Sequence, residues 1–445
     1  MRLIPLNKEK ITLIGAGLAG PLMATYLANR GYSVDIYERR PDMRKVDLSA
    51  GRSINLALSV RGINALKEVG IYDKIEPITL PMKGRMIHDL DRATHLQPYG
   101  QTENEVIYSV SRAQLNMDLM TLAEETGLVK IHFNHQLDSV DLDTNELGFG
   151  DKKVLFNKVI GCDGSSSALR NAILKKSNAE YVKNPLGHGY KELTIPPSDT
   201  GDFRIETNAL HIWPRGEFML IALPNMDRSF TCTLFFPMTG TTSFETVKNE
   251  NDILGLFQSQ FPDAIDLMPT LVDDFQNNPT GILATVYCKP WHFEDKAVLL
   301  GDAAHAIVPF YGQGMNASFQ DCSVLNNLIG KHSGAWNEIF TEFSSFHVAN
   351  GHAIADMAIE NYIEMRDTVN DPDYKKRRQL EFELEQKFPD RFIPRYSMVS
   401  FHQIPYADVY NRGKIQFNLM TSFISGEILE SELHTNILEQ LQPIS

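Results

Sequence analysis

The chain has 445 residues, of which 43% are hydrophobic and 22% charged, and its 42 Lys and Arg against 56 Asp and Glu give a formal net charge of −14. This apolar content excludes an intrinsically disordered chain, and the length predicts two or three folded domains. The net acidic charge argues against broad binding to nucleic-acid phosphates, although a local basic pocket for an anionic ligand remains compatible with it.

Four cysteines, Cys162, Cys232, Cys288 and Cys322, are scattered along the sequence. They form no Cys-x-x-Cys pair or Cys/His cluster, so the sequence predicts neither a zinc site nor a disulfide framework. The N-terminus lacks the pattern of a signal peptide, and no apolar run is long enough to cross a bilayer. We therefore expect a soluble, reduced, cytoplasmic protein with no metal and with no membrane or nucleic-acid partner.

The first predicted elements form a βαβ unit. Residues 10–15 (KITLIG) are a short apolar run typical of a buried strand, and the motif GAGLAG overlaps its end. Residues 21–31 (PLMATYLANRG) predict a helix that ends at Gly31. Residues 32–40 (YSVDIYERR) then alternate as a strand does and end in an acid.

The composition and hydrophobic pattern of the later predicted elements change along the chain. Residues 109–127 predict a helix with a capping box, Ser111-x-x-Gln114, and strand-like runs follow it. From about 180 to 290, aromatic and β-branched runs broken by Pro and Gly predict an inserted antiparallel sheet. The chain returns to a strand before GDAAH and is helical in pattern beyond 315. The charged stretch 374–388 (YKKRRQLEFELEQKF) is typical of a solvent-exposed helix face.

The glycines of Gly15-x-Gly17-x-x-Gly20 lie between a predicted strand and helix, and Glu38 ends the next strand. In this context the glycines allow a tight turn, close approach of a pyrophosphate and close packing of helix on strand. The acid accepts hydrogen bonds from ribose hydroxyls, and the helix N-terminus supplies donors to the phosphates. The sequence therefore predicts a bound dinucleotide.

A second glycine-containing segment bears on which dinucleotide binds. Arg39 and Arg40 alone would favour the extra phosphate of NADP. However, the segment LLGDAAHAIVPFYGQGMNASFQD places Asp302 at a strand end, where it can bind a ribityl chain. It also places the backbone amides of 314–316 at a helix start, where they can face the electron-rich pyrimidine edge of a flavin. These features favour FAD.

Together with GCDGSSSALR, which adds Asp163 at another strand-to-helix turn, these motifs resemble the FAD-dependent aromatic hydroxylases of the single-component, NAD(P)H-using type. The resemblance covers nearly the whole chain. Within that family, INLALSVRG, GRMIHDL and ENYIEMRD are similar to segments of the members that hydroxylate L-kynurenine. Eukaryotic members of that group carry a hydrophobic C-terminal membrane segment, whereas this chain ends in HTNILEQLQPIS, so we expect a soluble, bacterial-type form.

The resemblance implies a flavin-based reaction. NADPH reduces the bound FAD, oxygen adds at flavin C4a, and the hydroperoxide transfers one oxygen to L-kynurenine to give 3-hydroxykynurenine. The flavin carries this chemistry, while the protein orients the substrate and excludes water. The ring amino group already activates the attacked position, so no side chain is predicted to be catalytic. The expected partners are small molecules, and the expected state is a monomer or homodimer.

The fold that the resemblance implies is an α/β fold: a Rossmann-like FAD-binding domain with an inserted antiparallel β-sheet substrate domain and a C-terminal helical region. The predicted boundaries are 1–180 for the first part of the FAD-binding domain, 181–290 for the β-sheet substrate domain, 291–330 for the return of the FAD-binding domain and 331–445 for the helical region.

The resemblance also assigns candidate binding residues. An amino-acid substrate with an α-carboxylate calls for a planar bidentate cation, which the resemblance assigns to Arg85, supported by Tyr99. The other predicted substrate contacts are Asn361, Tyr396, Phe235, Phe236 and Phe319. The predicted cofactor contacts are Gly15, Gly17, Leu18, Gly20, Glu38, Arg39, Arg40, Ala57, Arg112, Leu137, Asp163, Asp302, Gly314, Met315 and Asn316.

Several of these residues also have structural interpretations. Outside the family motif, Arg85 is typical of a surface position and Asn361 of a solvated helix position. Tyr99 and Tyr396 are equally compatible with half-buried core positions. His305, which follows the GD pair, is interpreted as a packing residue.

Two alternative functions remain open. A related flavin hydroxylase acting on another aromatic acid would also need a cation such as Arg85. A flavin-binding protein without turnover is the second alternative, although the intact Gly15, Gly17, Gly20 and Asp302 give it no support. A flavin-dependent halogenase is disfavoured because its Trp-x-Trp-x-Ile-Pro segment is absent from the sequence.

Overall fold

A computed structural model describes residues 9–46, 55–365 and 372–444 of the chain. The start of INLALSVRG and the last two residues of ENYIEMRD lie outside these ranges. The chain divides into two compact units. Unit 1 comprises Met1–Thr79, Ser109–Gly187 and Gly281–Ala355, and unit 2 comprises Leu80–Tyr108, His188–Thr280 and Asp356–Ser445.

Strands and helices alternate through most of the described residues and give way to helices alone after β19. The strands are β1 (Ile11–Ile14), β2 (Val34–Tyr37), β3 (Asn55–Leu58), β4 (Thr79–Met82), β5 (Gly84–His88), β6 (Thr94–Pro98), β7 (Ile107–Ser111), β8 (Val129–His132), β9 (Ser139–Asp141), β10 (Glu146–Phe149), β11 (Lys152–Leu155), β12 (Lys158–Gly161), β13 (Glu180–Ile195), β14 (Leu210–Arg215), β15 (Phe218–Pro224), β16 (Phe230–Pro237), β17 (Gly281–Lys289), β18 (His292–Phe293) and β19 (Ala297–Leu299). The helices are α1 (Ala19–Asn29), α2 (Val60–Glu68), α3 (Tyr72–Ile75), α4 (Arg112–Glu125), α5 (Ala168–Lys176), α6 (Glu250–Gln260), α7 (Leu271–Asn277), α8 (Asp302–His305), α9 (Gly314–Lys331), α10 (Trp336–Ile363), α11 (Pro372–Lys387), α12 (Arg395–Ser400), α13 (Tyr406–Ile424) and α14 (Glu430–Gln440).

The main sheet of unit 1 has the strand order β18-β19-β12-β1-β2-β8. Its pairings are parallel apart from that of the short edge strand β18, and β1 and β2 are buried throughout. Parallel sheets are normally covered on both faces, so their strands are continuously apolar. Because the carboxyl ends of β1, β2 and β12 lie at one edge, the residues that follow these strands meet there. The predicted βαβ unit is confirmed.

The sheet of unit 2 contains β13, β16, β15, β14, β5 and β6 in that order. The pairs among β13, β14, β15 and β16 are antiparallel, as predicted. In contrast, β5 pairs in parallel with β14 and antiparallel with β6. The expectation of a purely antiparallel sheet from 181–290 was therefore incomplete, because a hairpin from 80–108 joins it at long range.

An apolar core covers one face of this sheet. It contains alternate residues of the strands together with residues of α6 and α7, among them Trp213, Leu220, Cys232, Phe236, Phe257, Phe261 and Phe275. The prediction of an antiparallel sheet over residues 180–290 did not include the helices α6 and α7. The start of α6 carries a full capping box between Asn249 and Asp252, a signal that was present in the sequence. The box predicted for α4 forms only in part: Ser111 accepts from the N–H of Gln114.

The four-part division predicted from the sequence stays a prediction. The compact units shift both boundaries of the predicted substrate domain, since residues 181–187 and 281–290 belong to unit 1. They also differ from the prediction over two longer segments: residues 80–108 belong to unit 2, and residues 331–355 belong to unit 1. Both differences arise from packing between segments that are distant in sequence, which a reading along the chain does not detect.

A chain of buried polar contacts lies in unit 2. Asp263 accepts from Nε1 of Trp213 at 2.9 Å, and its carboxylate lies 2.6 Å from Nδ1 of His88. Nε2 of His88 lies 2.8 Å from Nδ1 of His211, whose Nε2 lies 2.6 Å from the carbonyl oxygen of Glu206. Burial disfavours the charged imidazole and lowers the pKa of His211 to about 4.

We expect the free energy of unfolding to fall on mild acidification because of His211. Its pKa in the folded protein, about 4, lies below the ordinary value near 6.5, so the unfolded chain takes up more protons between these pH values. The contribution is present above about pH 6.5 and declines by about 2 kcal/mol between pH 6.5 and pH 5. Urea unfolding at both pH values should show a shallower dependence in His211→Gln than in the wild type. Equal dependence in the two proteins would contradict this role.

Candidate active site

The glycine loop after β1 leaves room for an incoming group. Gly15 has a φ of +99°, and a Cβ there would lie 2.3 Å from the carbonyl oxygen of Cys162. A Cβ on Gly20 would lie 2.0 Å from the carbonyl oxygen of Gly15. These two glycines are required by the fold itself. A Cβ on Gly17, in contrast, would meet no atom of the described residues within 4 Å, as expected where a pyrophosphate approaches the backbone.

Glu38, which follows β2, is buried and turned towards this loop. One carboxylate oxygen accepts from the N–H of Ala16 at 2.8 Å, and the other accepts from the backbone N–H and Nε of Arg40 at 2.9 and 2.8 Å. Burial alone would raise the pKa of Glu38, but these donors outweigh it and hold the pKa below its ordinary value. Glu38 is thus an ionised acceptor beside the loop. Arg40 is paired with it, and Arg39 is exposed.

Asp163 follows β12 and lies beside the same loop. A Cβ added to Gly15 would lie only 3.1 Å from Cα of Asp163. Its Oδ2 accepts from the backbone N–H groups of Ala168 and Leu169 at the start of α5. Its Oδ1 is buried and has no hydrogen-bond partner among the described residues. Burial raises the pKa of Asp163. An unsatisfied buried acceptor beside an open glycine backbone fits the polar part of a dinucleotide.

The second glycine turn, ahead of α9, is held by Asn316. Its Nδ2 donates to the carbonyl oxygens of Ala57 and Gly312 at 2.8 and 2.9 Å, and its Oδ1 accepts from the N–H of Ser59 at 2.9 Å. Gly312 has a φ of +65°, which reverses the chain before the helix. Because the side chain of Asn316 holds the turn, cofactor contacts of 314–316 would come from the backbone N–H groups at the helix start.

The remaining predicted cofactor residues also lie in unit 1. Leu18 directly precedes α1, and Met315 is buried in the first turn of α9. Arg112 and Asp302 are exposed at the starts of α4 and α8, and Leu137 is half-buried in the loop after β8. Their contacts with a cofactor stay predictions. The open glycine loop, the ionised Glu38 and the free acceptor of Asp163 together fit FAD.

A second site lies in unit 2, around the buried Arg85 of β5. Cζ of Arg85 lies 5.9 Å from the ring centre of Tyr99 and 5.0 Å from that of Tyr396. These two rings stack with centroids 4.9 Å apart. Within the described part of the chain, neither Nε of Arg85 nor the hydroxyl of Tyr99 has a hydrogen-bond partner of acceptable geometry. Such unsatisfied buried donors are costly, so they point to a ligand.

The electrostatics of this site suit an anion. Burial opposes the charge of Arg85, but the surrounding tyrosine hydroxyls and Glu364 outweigh it, so its pKa stays above that of an ordinary arginine. Burial also raises the pKa of Tyr99, of Tyr374 and of Tyr396. At neutral pH the cavity therefore presents the guanidinium of Arg85 beside neutral phenols, and its lining also includes Glu364 and Arg378. This combination binds a carboxylate well.

Comparison with known proteins decides the family. The family model described as an FAD binding domain matches residues 8–336. The kynurenine 3-monooxygenase of Myxococcus xanthus (strain DK1622) is 46% identical over 426 residues, covering 94% of this chain and 92% of the relative. That of Xanthomonas axonopodis pv. citri (strain 306) is 43% identical over 444 residues, covering 98% and 96%. The chain belongs to the kynurenine 3-monooxygenase family.

The solved structure of another protein has a fold similar to that of this kynurenine 3-monooxygenase family member. The 2-methyl-3-hydroxypyridine-5-carboxylic acid oxygenase matches it with a TM-score of 0.66 at 17% identity, covering 82% of this chain and 95% of the other. The predicted fold, an FAD-binding α/β fold with an inserted sheet and a C-terminal helical region, is confirmed. Over the described ranges, no helix has both the length and the apolar content needed to cross a membrane.

In this member of the kynurenine 3-monooxygenase family, the sheet of unit 2 separates two predicted substrate contacts. Neighbouring residues of a strand point to opposite faces, and the strand register puts Phe235 on the face of Arg85. Phe236 lies on the other face, in the apolar core, with ring centroids 5.1 and 5.2 Å from those of Phe218 and Phe244. The interpretation of Phe236 as a substrate contact is therefore corrected: it is a core residue.

The other predicted substrate contacts are distributed between the units. Tyr396 lies in α12 against Arg85, as described above. Asn361 is buried in the part of α10 that belongs to unit 2, with its Nδ2 3.1 Å from Sδ of Met365. Phe319 is fully buried in α9 of unit 1. The roles of Asn361 and Phe319 stay predictions.

Sequence reasoning missed the polar lining of the Arg85 cavity, which also contains Gln97, Glu364, Tyr374 and Arg378. Tyr374 donates to Glu364 at 3.0 Å, and Arg378 donates to the carbonyl oxygen of Tyr99 at 2.7 Å. Arg378 lies in the charged stretch interpreted as solvent-exposed, yet its side chain is only 15% exposed. Its spacing from an acid three residues later was visible, but that spacing is equally typical of an exposed helix.

Proposed function

We propose that this chain hydroxylates L-kynurenine to 3-hydroxykynurenine with FAD bound in unit 1. One molecule each of L-kynurenine, NADPH and O2, with a proton, gives 3-hydroxykynurenine, NADP+ and water. Membership of the family supports the reaction. The observation that carries the substrate class is the buried Arg85, whose Nε has no partner among the described residues. An α-amino acid brings the carboxylate that such a group needs.

The residues of unit 1 would hold FAD by the contacts described above. The loop at Gly17 would receive the pyrophosphate, Glu38 the adenosine ribose, and Asp302 the ribityl chain. The backbone N–H groups of 314–316 would face the pyrimidine edge of the ring. FAD, when bound, would carry the electrons of NADPH to O2, so that one oxygen atom of O2 enters the substrate ring and the other leaves as water.

The residues of unit 2 bind and orient the amino-acid end of the substrate. Arg85 binds the α-carboxylate, and the hydroxyl of Tyr99 donates a further hydrogen bond to it. Oε1 of Gln97, which is buried without a partner in the described structure, accepts from the α-ammonium. Phe235 lies on the same sheet face as Arg85 and packs against the ring. No side chain is assigned as a base, because the ring amino group already activates the hydroxylated carbon.

The cavity around Arg85 is small. Its interior is about 20 Å³, enough for about one water molecule. The amino-acid end of L-kynurenine is larger than one water molecule, so we infer that the cavity widens when the substrate binds. Tyr374 and Arg378 line the cavity from α11, and we propose that they move to widen it. Their return over the bound substrate would exclude water from the site.

Substrate-stimulated NADPH oxidation tests the assignment of the substrate. The FAD-loaded protein is assayed with L-kynurenine and, as matched controls, with anthranilate and with decarboxylated kynurenine. We expect strong stimulation by L-kynurenine alone, because only it has both the carboxylate and the ammonium. Stronger stimulation by another aromatic acid would favour the related hydroxylase instead. A cytoplasmic location and a monomeric or homodimeric state stay predictions.

The two neighbouring phenylalanines of β16 give a matched pair of variants. Phe236→Leu removes packing from the core and should lower the free energy of unfolding by about 1 kcal/mol without changing the KM for L-kynurenine. Phe235→Leu, on the Arg85 face, should raise that KM several-fold. Steady-state kinetics and urea unfolding of both variants measure these effects. If Phe236→Leu alone raised the KM, the assignment of the two faces would be reversed.

A further inference from the structure

The short helix α8, which begins with Asp302, follows an unusual turn. Gly301 has a φ of +59° and a ψ of −140°, a conformation open essentially to glycine. A Cβ there would also lie 2.7 Å from Oγ of Ser318. The carbonyl oxygen of Gly301 accepts from the backbone N–H groups of Ala304 and His305 at 2.8 and 2.9 Å. Such a turn persists only where its surroundings hold it in place.

Asp321 of α9 holds both ends of this turn. Its Oδ2 accepts from the N–H of Gly301 at 2.7 Å and lies 2.7 Å from Nε2 of His305. Its Oδ1 lies 2.8 Å from Nε2 of His347 in α10. Asp321, His305 and His347 are 1%, 2% and 4% exposed, so the group is sealed from water. His305, interpreted from the sequence as a packing residue, is therefore part of a polar cluster.

Two further side chains fix the middle of the turn. Nη1 of Arg170 donates to the carbonyl oxygen of Ala303 at 3.0 Å, and Sγ of Cys288 lies 3.1 Å from that of Ala304. With Asp321, contacts reach α8 from α5, α9 and β17. Asp302 itself is exposed at the start of the helix. All of these residues belong to unit 1.

The cluster does not resemble a metal site. The two histidines contact different oxygens of one carboxylate, and the described residues contain no group of His, Cys, Asp and Glu placed to hold a metal ion. Burial would raise the pKa of Asp321, but His305 and His347 outweigh it and hold that pKa well below its usual range. Burial of a carboxylate is costly unless donors satisfy it, and here three donors do so.

We propose that Asp321 is a positioning residue for the cofactor: by holding Gly301 and His305 it fixes the turn that presents Asp302 to FAD. In this role Asp321 contacts neither the cofactor nor the substrate. His305 and His347 are the side chains that hold its carboxylate in place. The inference rests on the FAD binding of the proposed function. It predicts that loosening the cluster weakens FAD binding even where the chain stays folded.

The test measures FAD release from the purified holoenzyme on dilution, by the fluorescence of free FAD. Asp321→Asn keeps the shape but replaces one acceptor oxygen with an N–H2 group. We expect its FAD dissociation constant to rise at least tenfold. The matched control is Asp263→Asn, which breaks a histidine–carboxylate contact of the same kind in unit 2. It should change the constant less than twofold at a similar loss of stability.

A pair of variants at His305 keeps the test decisive if Asp321→Asn fails to fold. His305→Gln retains an N–H donor for Asp321, whereas His305→Ala removes it. We expect the alanine variant to lose FAD at least tenfold more readily and the glutamine variant to recover most of the affinity. If the folded Asp321 and His305 variants keep the wild-type dissociation constant for FAD, this inference is wrong but the proposed function is unaffected. A wild-type protein that holds no FAD would overturn the proposed function as well.

Discussion

Gly17→Val is expected to leave the chain folded but empty of FAD. A Cβ at this position meets no atom of the described residues within 4 Å, so the valine costs the fold little. The same open space is where the pyrophosphate approaches the backbone, and the isopropyl group would occupy it. We expect the FAD dissociation constant to rise by at least about 100-fold, roughly 2.7 kcal/mol. Flavin absorbance per chain and circular dichroism of the purified variant measure the two effects.

Gly20→Ala is the matched control in the same loop. Its Cβ would lie 2.0 Å from the carbonyl oxygen of Gly15, so this substitution disturbs the packing of α1 on β1. It should lower the stability of the protein, and any loss of FAD should follow that loss of structure. A Gly17→Val protein with a full complement of FAD would show that the loop does not face the pyrophosphate.

Arg85→Ala is expected to raise the dissociation constant of L-kynurenine by well over tenfold. Truncating one partner of a buried charge pair costs about 2–5 kcal/mol, and the substrate carboxylate would lose the guanidinium that we assign to bind it. FAD content should stay normal, because Arg85 lies in unit 2 and the cofactor residues lie in unit 1. Titration of the flavin spectrum with L-kynurenine measures the constant.

Two further substitutions sharpen this test. Arg85→Lys keeps a positive charge without the planar bidentate donor, so its affinity should fall between those of the wild type and Arg85→Ala. Arg92→Ala removes an exposed arginine from the turn between β5 and β6 and should leave the affinity unchanged. Unchanged affinity in Arg85→Ala would remove Arg85 from the substrate site.

The FAD-binding residues of unit 1 could be predicted from the sequence because the patterns that indicate them are local. The strand, glycine turn, helix and acid of residues 11–38 are contiguous, and their spacing alone gives a βαβ unit. Asp163 and Asp302 follow strands of the same parallel sheet, so their position at one edge follows from topology. What the sequence did not show is the pairing of Arg40 with Glu38 and the use of the Asn316 side chain to hold a turn.

The candidate substrate site around Arg85 could not be predicted in the same way. Arg85 was assigned by resemblance, and nothing in its local pattern indicates burial. The β5–β6 hairpin that carries it joins the sheet through a parallel pairing with β14, more than a hundred residues later. Gln97, Glu364 and Arg378 reach the cavity from three segments, so no local window shows them together.

The error at Phe236 has a simple physical cause. In a run of two aromatic residues, one faces each side of the sheet, and a shift of the register by one residue exchanges them. The sequence LFFPM is apolar throughout, so alternation gives no indication of which residue faces the core. Only the packing of α6 and α7 on one face decides it.

The hydroxylation of L-kynurenine can be tested by comparing the amount of product formed with the amount of NADPH consumed. The FAD-loaded protein is supplied with NADPH and oxygen, with and without L-kynurenine, while 3-hydroxykynurenine is quantified by mass. We predict strong stimulation of NADPH oxidation by L-kynurenine and close to one hydroxylated product for each NADPH consumed. Absence of stimulation, or stimulation that yields hydrogen peroxide without 3-hydroxykynurenine, would contradict the proposed function.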